Sequence, residues 1–354
     1  MIQTACRLLY ERGAELTSGS RELAQTADRD RAPRIAVLNG INHPALPALA
    51  AQCGEIVVQQ GQRDACLALQ HAGHAISRHI RKGPFDMVLV LAGRQREQTL
   101  AWLAQGAKLL DGDGLLLIAA ANDMGAKGYE KRMGDLGAEV QVSSKAKCRI
   151  AMLQANRISC PEILDQWLAA AAPRRLSGSG LISCPGVFCW DRTDAGSRLL
   201  LEHLPEGLSG RGMDIGCGNG YLSRHVLTHY AAISEWHAVD VDAVALACAE
   251  QNLQIQGSAL RVCMHWLDAS TEVLPGDMDV IVMNPPFHRD KADLPSLGQD
   301  LIRAAQRSLK PSGSLFLVAN RHLPYEALLY DIFDLVYPLY EGEGYKVMRC
   351  DGPL

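Results

Sequence analysis

Residues Asp214-Ile215-Gly216-Cys217-Gly218-Asn219-Gly220 decide the fold of the second half of this chain. They follow a short apolar run that ends at Met213 and precede an amphipathic stretch, Tyr221 to His229. This order predicts a buried strand, a tight loop and then a helix. Glycines in such a loop allow the backbone to pass close to a bound ligand. The stretch therefore predicts an α/β domain of the nucleotide-binding kind.

A dinucleotide-binding loop has a similar pattern, but two acidic residues favour S-adenosylmethionine as the ligand. Asp214 stands two residues before the first glycine, where its carboxylate can accept a hydrogen bond from the ammonium group of that cofactor. Asp240 follows the predicted strand Trp236 to Val239, and its two oxygens can accept hydrogen bonds from the two ribose hydroxyls. Asp242 is assigned instead to the N-cap of the helix that follows.

Asn284-Pro285-Pro286-Phe287 is the second decisive stretch, and it follows the apolar strand Asp279 to Met283. Open α/β sheets place their chemistry at the carboxyl ends of strands. Two consecutive prolines hold a rigid turn there. The oxygens of Asn284 and Pro285 can accept the two N–H groups of a planar amine, and Phe287 can stack on its ring. The stretch indicates methyl transfer to a planar nitrogen.

Several segments of the chain together resemble a known family, the ribosomal RNA guanine-N2 methyltransferases of the small-subunit methyltransferase C and large-subunit methyltransferase G type. The matching segments are 185–188, 194–197, 214–220, 284–288 and 318–325. The resemblance covers the C-terminal half strongly and the N-terminal half in outline. It implies two tandem class I methyltransferase domains, of which the N-terminal copy is degenerate and the C-terminal copy is catalytic.

These arguments yield a set of predicted site residues. The catalytic residues are Asn284, Pro285 and Phe287. The cofactor-binding residues are Asp214, Gly216, Gly218, Asn219, Gly220, Asp240, Val241, Asp268, Ala269, Asn284 and, from the resemblance, Phe188. The RNA-binding residues are His288, Arg321, Lys145, Lys147, Arg149, Arg81 and Lys82. Asp194 and Asp268 each have an alternative as a capping residue.

Composition sets the class of protein. The chain has 354 residues, of which 48% are hydrophobic and 21% are charged, so it predicts a globular protein of two domains. No apolar run approaches the length of a membrane span, and we expect a cytoplasmic monomer. The 11 cysteines are scattered without a CxxC pair, which predicts reduced thiols and no metal site.

The two halves of the chain have similar patterns. The strand at 86–90 parallels the strand at 279–283, and the strand at 114–119 parallels the strand at 313–318. Leu91 to Arg94 stand where the second half has the Asn-Pro-Pro-Phe turn. We therefore predict a duplicated domain, with a degenerate copy at 1–170, a linker and cofactor-covering segment at 171–193, and the catalytic copy at 194–354. In the first copy we predict a helix at 64–79, and at the end of the second a hairpin of 335–339 with 345–348.

Charge is divided unevenly between the two halves. Residues 71–160 contain 13 basic and 8 acidic residues, whereas residues 200–354 contain 11 basic and 20 acidic residues. An acidic catalytic half would repel phosphates, so we assign RNA recognition to the N-terminal copy. Its basic clusters lie at 78–82, 127–132 and 145–149.

The predicted function is methylation of the exocyclic N2 of a guanine in ribosomal RNA, in preference 16S rRNA, with ribosomal RNA or a ribosomal subunit as the partner. Guanine N2 of 23S rRNA, adenine N6 and a protein glutamine amide are alternatives, because the same turn serves any planar amine. An RNA-binding assembly factor and a nicotinamide-dependent oxidoreductase are alternatives from other classes.

Overall fold

The computed structural model describes residues 1–19, 31–254, 260–286, 288–289, 292–293 and 295–354. The chain divides into two compact units, Met1–Ala172 and Pro173–Leu354. Each unit is built around a seven-stranded sheet. All 11 cysteines are free thiols.

The first unit has the strand order β3-β2-β1-β4-β5-β7-β6. Its strands are β1 (Arg34–Leu38), β2 (Glu55–Gln59), β3 (Ile76–Ser77), β4 (Phe85–Leu91), β5 (Leu110–Ala121), β6 (Gln141–Lys145) and β7 (Cys148–Gln154). Its helices are α1 (Ile2–Gly19), α2 (Leu46–Ala50), α3 (Arg63–His71), α4 (Arg96–Leu109), α5 (Ala126–Gly134) and α6 (Glu162–Ala171), with single 3₁₀ turns at Asn122–Met124 and Ala155–Arg157. Strands β1 to β5 pair in parallel, and β6 and β7 are antiparallel additions.

The central strand β4 shows why a continuous apolar run is needed. All seven of its residues are buried. Met87 and Leu89 belong to one hydrophobic cluster, and Val88 and Val90 belong to a second. Successive side chains of a strand point to opposite faces, and a parallel sheet is covered on both. The run at 85–91 therefore encodes an interior strand of a three-layer unit.

The second unit repeats this order as β12-β11-β10-β13-β16-β18-β17. The strands of that sheet are β10 (Gly210–Ile215), β11 (Ile233–Asp240), β12 (Arg261–Trp266), β13 (Met278–Met283), β16 (Leu309–Asn320), β17 (Phe333–Gly342) and β18 (Tyr345–Pro353). Two short ladders pair β8 (Arg174–Arg175) with β9 (Ile182–Ser183), and β14 (His288–Arg289) with β15 (Ala292–Asp293). The helices are α7 (Ala195–Glu202), α8 (Tyr221–His229), α9 (Ala243–Asn252), α10 (Pro295–Ser308) and α11 (Glu326–Ile332).

The same kind of internal polar contact occurs in each unit, at the amino ends of the central strands. In the first unit the backbone N–H of Arg34 donates to Asp86 Oδ2 at 2.7 Å. In the second unit the backbone N–H of Arg211 donates to Asp279 Oδ2 at 2.8 Å. Identical strand order and this repeated contact confirm the prediction of two tandem methyltransferase-like domains.

The first unit differs from the second where a cofactor loop would begin. Asn39 follows β1 with φ of 56°, the backbone conformation that Gly216 has after β10. Gln60 follows β2 at the position of Asp240, and its side-chain oxygen accepts from the backbone N–H two residues later at 2.9 Å, as Asp240 does at 2.8 Å. The first unit thus keeps the backbone turns while losing the acid and the glycine run.

One helix is shorter than the sequence predicts. The helix expected at 64–79 is α3, which ends at His71, and the residues beyond it form the short strand β3. Gly73 has φ of 81°, and the backbone N–H of His74 donates to Leu69 O at 3.1 Å. This is a glycine C-cap, which ends a helix by satisfying its last carbonyls. The predicted C-terminal hairpin is confirmed as β17 paired with β18.

The segment predicted as a linker, 171–193, falls almost wholly within the second unit. Its strand β9 is held by Asn252, whose Oδ1 accepts from Ile182 N at 2.7 Å and whose Nδ2 donates to Ile182 O at 2.8 Å. Asn252 is 2% exposed, and its two hydrogen bonds to Ile182 are partly buried. The segment is thereby fixed against helix α9.

Within the described residues, no helix combines the length and the apolar character needed to cross a membrane.

Candidate active site

The Asn-Pro-Pro turn begins where β13 ends, at the carboxyl edge of the second sheet. Asn284 lines a cleft together with the glycine loop that follows β10. The first proline, Pro285, is buried and the second, Pro286, is exposed. Phe287 lies outside the described residues. The strand order therefore brings the two decisive stretches of sequence to one cleft.

The amide of Asn284 is held in one orientation. Its Nδ2 donates to Asp194 Oδ2 at 2.8 Å and to Ser197 Oγ at 2.9 Å. Because both N–H groups have acceptors, Oδ1 is the atom left to accept a hydrogen bond from a ligand. Sequence reasoning predicted the role of Asn284 but not these two partners, which precede it by 90 and 87 residues.

Asp194 also caps the helix that follows it. The same Oδ2 accepts from the backbone N–H of Ser197 at 2.8 Å, so Asp194 is the N-cap of α7. Its Oδ1 lies 3.8 Å from Cys189 Sγ, which donates to it. Burial, followed by the charge of Asp194, raises the pKa of the Cys189 thiol. The capping alternative is confirmed, and the same carboxylate also positions Asn284.

The glycine loop is shaped for a ligand rather than for the protein. Gly216, Gly218 and Gly220 have φ of 75°, 55° and 83°. A Cβ built on Gly216 or Gly218 meets no atom of the described chain within 4 Å, and both residues line the cleft. Asn219 also lines the cleft. Protein packing does not require a glycine at position 216 or 218, so the space in front of these two residues is available to a cofactor.

Asp214 lies at the base of this loop and is fully buried. Its Oδ2 accepts from Ser223 Oγ at 2.6 Å and from Ser223 N at 3.1 Å. Its Oδ1 is buried without a hydrogen-bond partner among the residues described. Desolvation raises the pKa of the Asp214 carboxyl to about 7. A buried carboxylate oxygen without a partner is costly, and a cationic ligand group would satisfy it.

Asp240, the last residue of β11, is hydrogen-bonded to the glycine loop. Its Oδ2 accepts from Gly218 N at 2.7 Å, and its Oδ1 accepts from Asp242 N at 2.8 Å. Burial raises the pKa of the Asp240 carboxyl to about 6. Asp242 caps α9 by accepting from Val244 N at 2.8 Å, as predicted. Each oxygen of Asp240 retains a further lone pair for a ribose hydroxyl.

The remaining predicted cofactor residues border this region in different ways. The carbonyl of Val241 accepts from Trp266 Nε1 at 2.9 Å. Asp268 accepts from Ser270 Oγ at 2.6 Å and from Thr271 Oγ1 at 3.0 Å, which is the capping alternative considered for it. Ala269 is 6% exposed and belongs to a core cluster.

Phe188 is the exposed wall of the cleft. Its side chain is 61% exposed, and it lines the cleft beside Asn284 and the glycine loop. An exposed phenyl ring at the mouth of a polar cleft is available to stack on a planar group.

Two predicted RNA contacts of the second unit lie beyond β13. His288 is in the β14–β15 ladder, paired with Asp293. Arg321 forms an ion pair with Glu341 at 2.7 Å, and both side chains are more than half exposed. An exposed ion pair of this kind is weak, so Arg321 can exchange its partner for a phosphate.

The basic clusters of the first unit are separated by the fold. Arg81 and Lys82 are exposed and precede β4, at the amino edge of the parallel strands. Lys145 and Lys147 are exposed in the β6–β7 turn, at the carboxyl edge, since Cys148 pairs with Ala121 at the end of β5. One stretch of RNA at a single sheet edge cannot contact both groups.

Arg149 differs from its two lysine neighbours. It forms an ion pair with Glu130 at 2.7 Å, and its side chain is 24% exposed. The same carboxyl edge carries a groove lined by Arg94, Lys131 and Arg132. The structure thus brings the clusters at 127–132 and 145–149 to one edge and gives Arg149 a structural partner.

Comparisons with known proteins identify the family. The family model described as "Methyltransferase small domain" matches residues 179–349. The "Ribosomal RNA small subunit methyltransferase C" of Stutzerimonas stutzeri is 31% identical over 76% of this chain and 80% of its own length. The protein of that name from Shewanella denitrificans is 30% identical over 78% of this chain and 80% of its own.

A solved structure agrees across both units. The T. thermophilus 16S rRNA N2 G1207 methyltransferase, in complex with AdoMet and guanosine, superposes with a TM-score of 0.74 and 27% identity. The match covers 93% of this chain and 90% of that one. These findings confirm the predicted family and select its small-subunit branch: the chain belongs to the ribosomal RNA small subunit methyltransferase C family.

Proposed function

We propose that this chain transfers a methyl group from S-adenosylmethionine to the exocyclic N2 of a guanine in 16S ribosomal RNA. The observation that carries the proposal is the orientation of Asn284, whose Oδ1 is left to accept a hydrogen bond in a cleft shared with the glycine loop. The T. thermophilus relative, whose structure contains AdoMet and guanosine, supports the choice of cofactor and base.

The chemical problem is the weak nucleophilicity of an exocyclic amine, because its lone pair is delocalised into the ring. Asn284 Oδ1 and the carbonyl of Pro285 accept the two N–H groups of the amine. These hydrogen bonds orient the amine so that its lone pair faces the methyl donor, and they stabilise the positive charge that develops on nitrogen. We assign stacking on the base to Phe287 from its place in the sequence, directly after the Asn-Pro-Pro turn.

S-adenosylmethionine supplies, when bound, an electrophilic methyl carbon on a sulfonium centre. The N–C bond forms as the S–C bond breaks, and S-adenosylhomocysteine leaves. The methylated nitrogen is acidic only after the bond has formed, so its proton passes to water, and His288 is not required as a base. The chain therefore works by positioning and electrostatics.

In the second unit, different residues are assigned to different parts of the cofactor. Asp214 faces the ammonium group, and its unpartnered buried Oδ1 fits that role. Asp240 accepts from the ribose hydroxyls, with Val241 beside it. Asp268 and Ala269 flank the adenine, and Phe188 covers the cleft. Gly216, Gly218, Asn219 and Gly220 provide the close backbone approach.

For the RNA, we assign recognition to the first unit. Its carboxyl edge carries exposed Lys145 and Lys147 and a groove lined by Lys131. The second unit adds His288 and Arg321. Arg81 and Lys82, at the other edge of the first sheet, would contact a different segment of the RNA. A guanine within structured RNA must leave its base stack to reach the cleft. We propose that the enzyme acts in the cytoplasm and as a monomer.

The test is methyl transfer from tritiated S-adenosylmethionine to purified small subunits, large subunits and their naked RNAs, followed by nucleoside analysis. N2-methylguanosine in the small-subunit RNA is the expected product. Labelled N6-methyladenosine, label in protein, or no label with cofactor binding intact would overturn the assignment.

Asn284→Ala provides the matched variant. It should abolish turnover and leave S-adenosylmethionine affinity within a few-fold, because the residue contacts the amine rather than the bulk of the cofactor. A parallel loss of cofactor binding would remove the role assigned to Asn284.

A further inference from the structure

Three side chains of the types that serve as metal ligands lie together away from the catalytic cleft. They are His237 on β11 and Cys263 and His265 on the edge strand β12, and their ligand atoms are all within 4.8 Å of one another. The parallel register pairs His237 with Cys263, so both point to one face of the sheet, and His265 points to that face two residues further on. The sequence does not reveal this cluster, because 26 residues separate His237 from Cys263.

The polar atoms of the cluster are arranged for one shared ion. His237 Nδ1 and His265 Nε2 are 2.9 Å apart, so in the metal-free protein one of them donates to the other. The other ring nitrogen of His237, Nε2, is 3.3 Å from Glu235 Oε1. A histidine that binds a metal through one nitrogen characteristically donates its other N–H to a carboxylate. Glu235 is therefore placed as the outer partner of a metal-binding His237.

We propose that His237, Cys263 and His265 bind one transition metal ion of the zinc class, with Glu235 orienting His237. Imidazole nitrogen and thiolate are the donors that Zn²⁺ and Co²⁺ prefer. Bond lengths of about 2.0–2.1 Å to nitrogen and about 2.3 Å to sulfur place tetrahedral ligand atoms roughly 3.3–3.7 Å apart. The two imidazole nitrogens need to separate by only about 0.4 Å from their present distance.

The surroundings limit the affinity of this site. Arg211 and Arg261 form ion pairs with Glu235 at 3.1 Å and 3.5 Å, and Arg211 Nη2 is 3.5 Å from His237 Nε2. This positive charge opposes a divalent cation, and three protein ligands leave a fourth position for water. The site is therefore weaker than a closed four-ligand zinc centre.

A bound ion would link β11 to the edge strand of the sheet. The carboxyl end of β11 is Asp240, and β12 leads into the loop of Asp268, so the ion would join the two strands that carry the proposed ribose and adenine contacts. Because the ion binds the folded site, it should raise the unfolding temperature, and the rise should continue with the logarithm of the free ion concentration above the dissociation constant.

The experiment uses the full chain, stripped with EDTA and titrated with Co²⁺, whose spectrum reports thiolate ligation as a near-ultraviolet charge-transfer band and tetrahedral geometry as visible bands. We expect saturation at one ion per chain, displacement by Zn²⁺ and a rise in unfolding temperature. Cys263→Ser should remove the charge-transfer band. His265→Gln should weaken binding at least tenfold and keep the fold, since this side chain is partly exposed at the sheet edge.

Two matched controls address the alternatives. Cys160→Ser removes a different half-buried thiol, and His225→Ala disrupts a second histidine pair, with His229 on α8, whose rings are 4.0 Å apart. Both controls should leave the cobalt spectrum unchanged. Absence of the charge-transfer band in the unsubstituted protein, its persistence in Cys263→Ser, or its loss in His225→Ala would each overturn the proposal.

Discussion

Replacing Asp194 by alanine should reduce turnover far more than it reduces cofactor binding. The substitution removes the acceptor 2.8 Å from Asn284 Nδ2 and leaves Ser197 Oγ as the other acceptor. A hydrogen bond to a charged group contributes roughly 1.5–3 kcal/mol. If that energy maintains the orientation of Asn284 in the transition state, kcat should fall by a factor of about 10–150, since 1.36 kcal/mol corresponds to tenfold.

The same variant also loses the N-cap of α7, so catalytic and structural effects must be separated. Loss of an N-cap costs about 1 kcal/mol of folding stability. Ser197→Ala serves as the control, because it removes the Oγ contact with Asn284 and retains the backbone N–H that Asp194 caps. Asp194→Asn is the conservative variant, since its amide oxygen can still accept from both Asn284 and Ser197.

The assay measures initial rates of tritiated methyl transfer to small subunits, S-adenosylmethionine affinity by calorimetry, and unfolding in urea. We expect a fall in kcat in the order Asp194→Ala, Ser197→Ala, Asp194→Asn, with cofactor affinity nearly constant. If Asp194→Ala loses about 1 kcal/mol of stability yet keeps kcat within twofold, Asp194 is a helix cap alone and the positioning argument is refuted.

Three further predictions concern other parts of the chain. Replacing Lys145 and Lys147 by alanine should weaken RNA binding and reduce the slope of log K against log salt by about 0.7–0.9 per lysine lost, whereas Arg149→Ala should mainly lower folding stability because Arg149 is paired with Glu130. Filter binding at several salt concentrations measures the first effect and urea unfolding measures the second. An unchanged salt slope in the lysine variant would place the RNA surface elsewhere. Asp214→Asn should stabilise the cofactor-free protein relative to wild type, because burial raises the pKa of the Asp214 carboxyl from its ordinary value of 3.8 to about 7 in the folded state. The stabilising contribution of the protonated Asp214 carboxyl is full below about pH 4 and is lost as the pH rises to 7. The difference in urea unfolding free energy between variant and wild type should grow over that window toward an upper limit of about 4 kcal/mol, and a difference independent of pH would contradict the prediction. Asn252→Ala should cost about 2–4 kcal/mol of folding free energy, because it removes three hydrogen bonds to partly buried backbone groups of Ile182 and Asn219. Thermal unfolding and a weaker S-adenosylmethionine affinity are the readouts, and a loss under about 1 kcal/mol would show that water replaces the side chain.

Part of the candidate site was predictable because its signals are local. Glycines permit φ above zero in the loop, and two prolines after a buried strand restrict φ in the turn, so both signals act within a few residues. Alternating strands and helices predict a parallel sheet, and parallel strands bring their carboxyl ends to one edge. The sequence alone therefore places Asn284 and Gly218 in one cleft. The same alternation of strands and helices recurs in both halves of the chain, which predicted the two tandem domains.

The early end of α3 shows where local reasoning was incomplete. Its apolar spacing continues past His71, but Gly73 adopts a left-handed conformation and provides a C-cap. A glycine near a helix end is compatible with either continuation or termination, and the pairing of β3 with β2 selects termination.

The sequence by itself determined the tandem α/β architecture, the glycine loop and the turn at Asn284, because each depends on residues close together in the chain. Only the tertiary structure decided that Asp194 and Ser197 orient the Asn284 amide, and that Cys263 lies beside His237. Such contacts depend on how segments far apart in sequence pack against one another, and the residues of either segment alone do not specify its partner. The chemistry of the site therefore follows from local sequence, whereas the orientation of its groups follows from long-range packing.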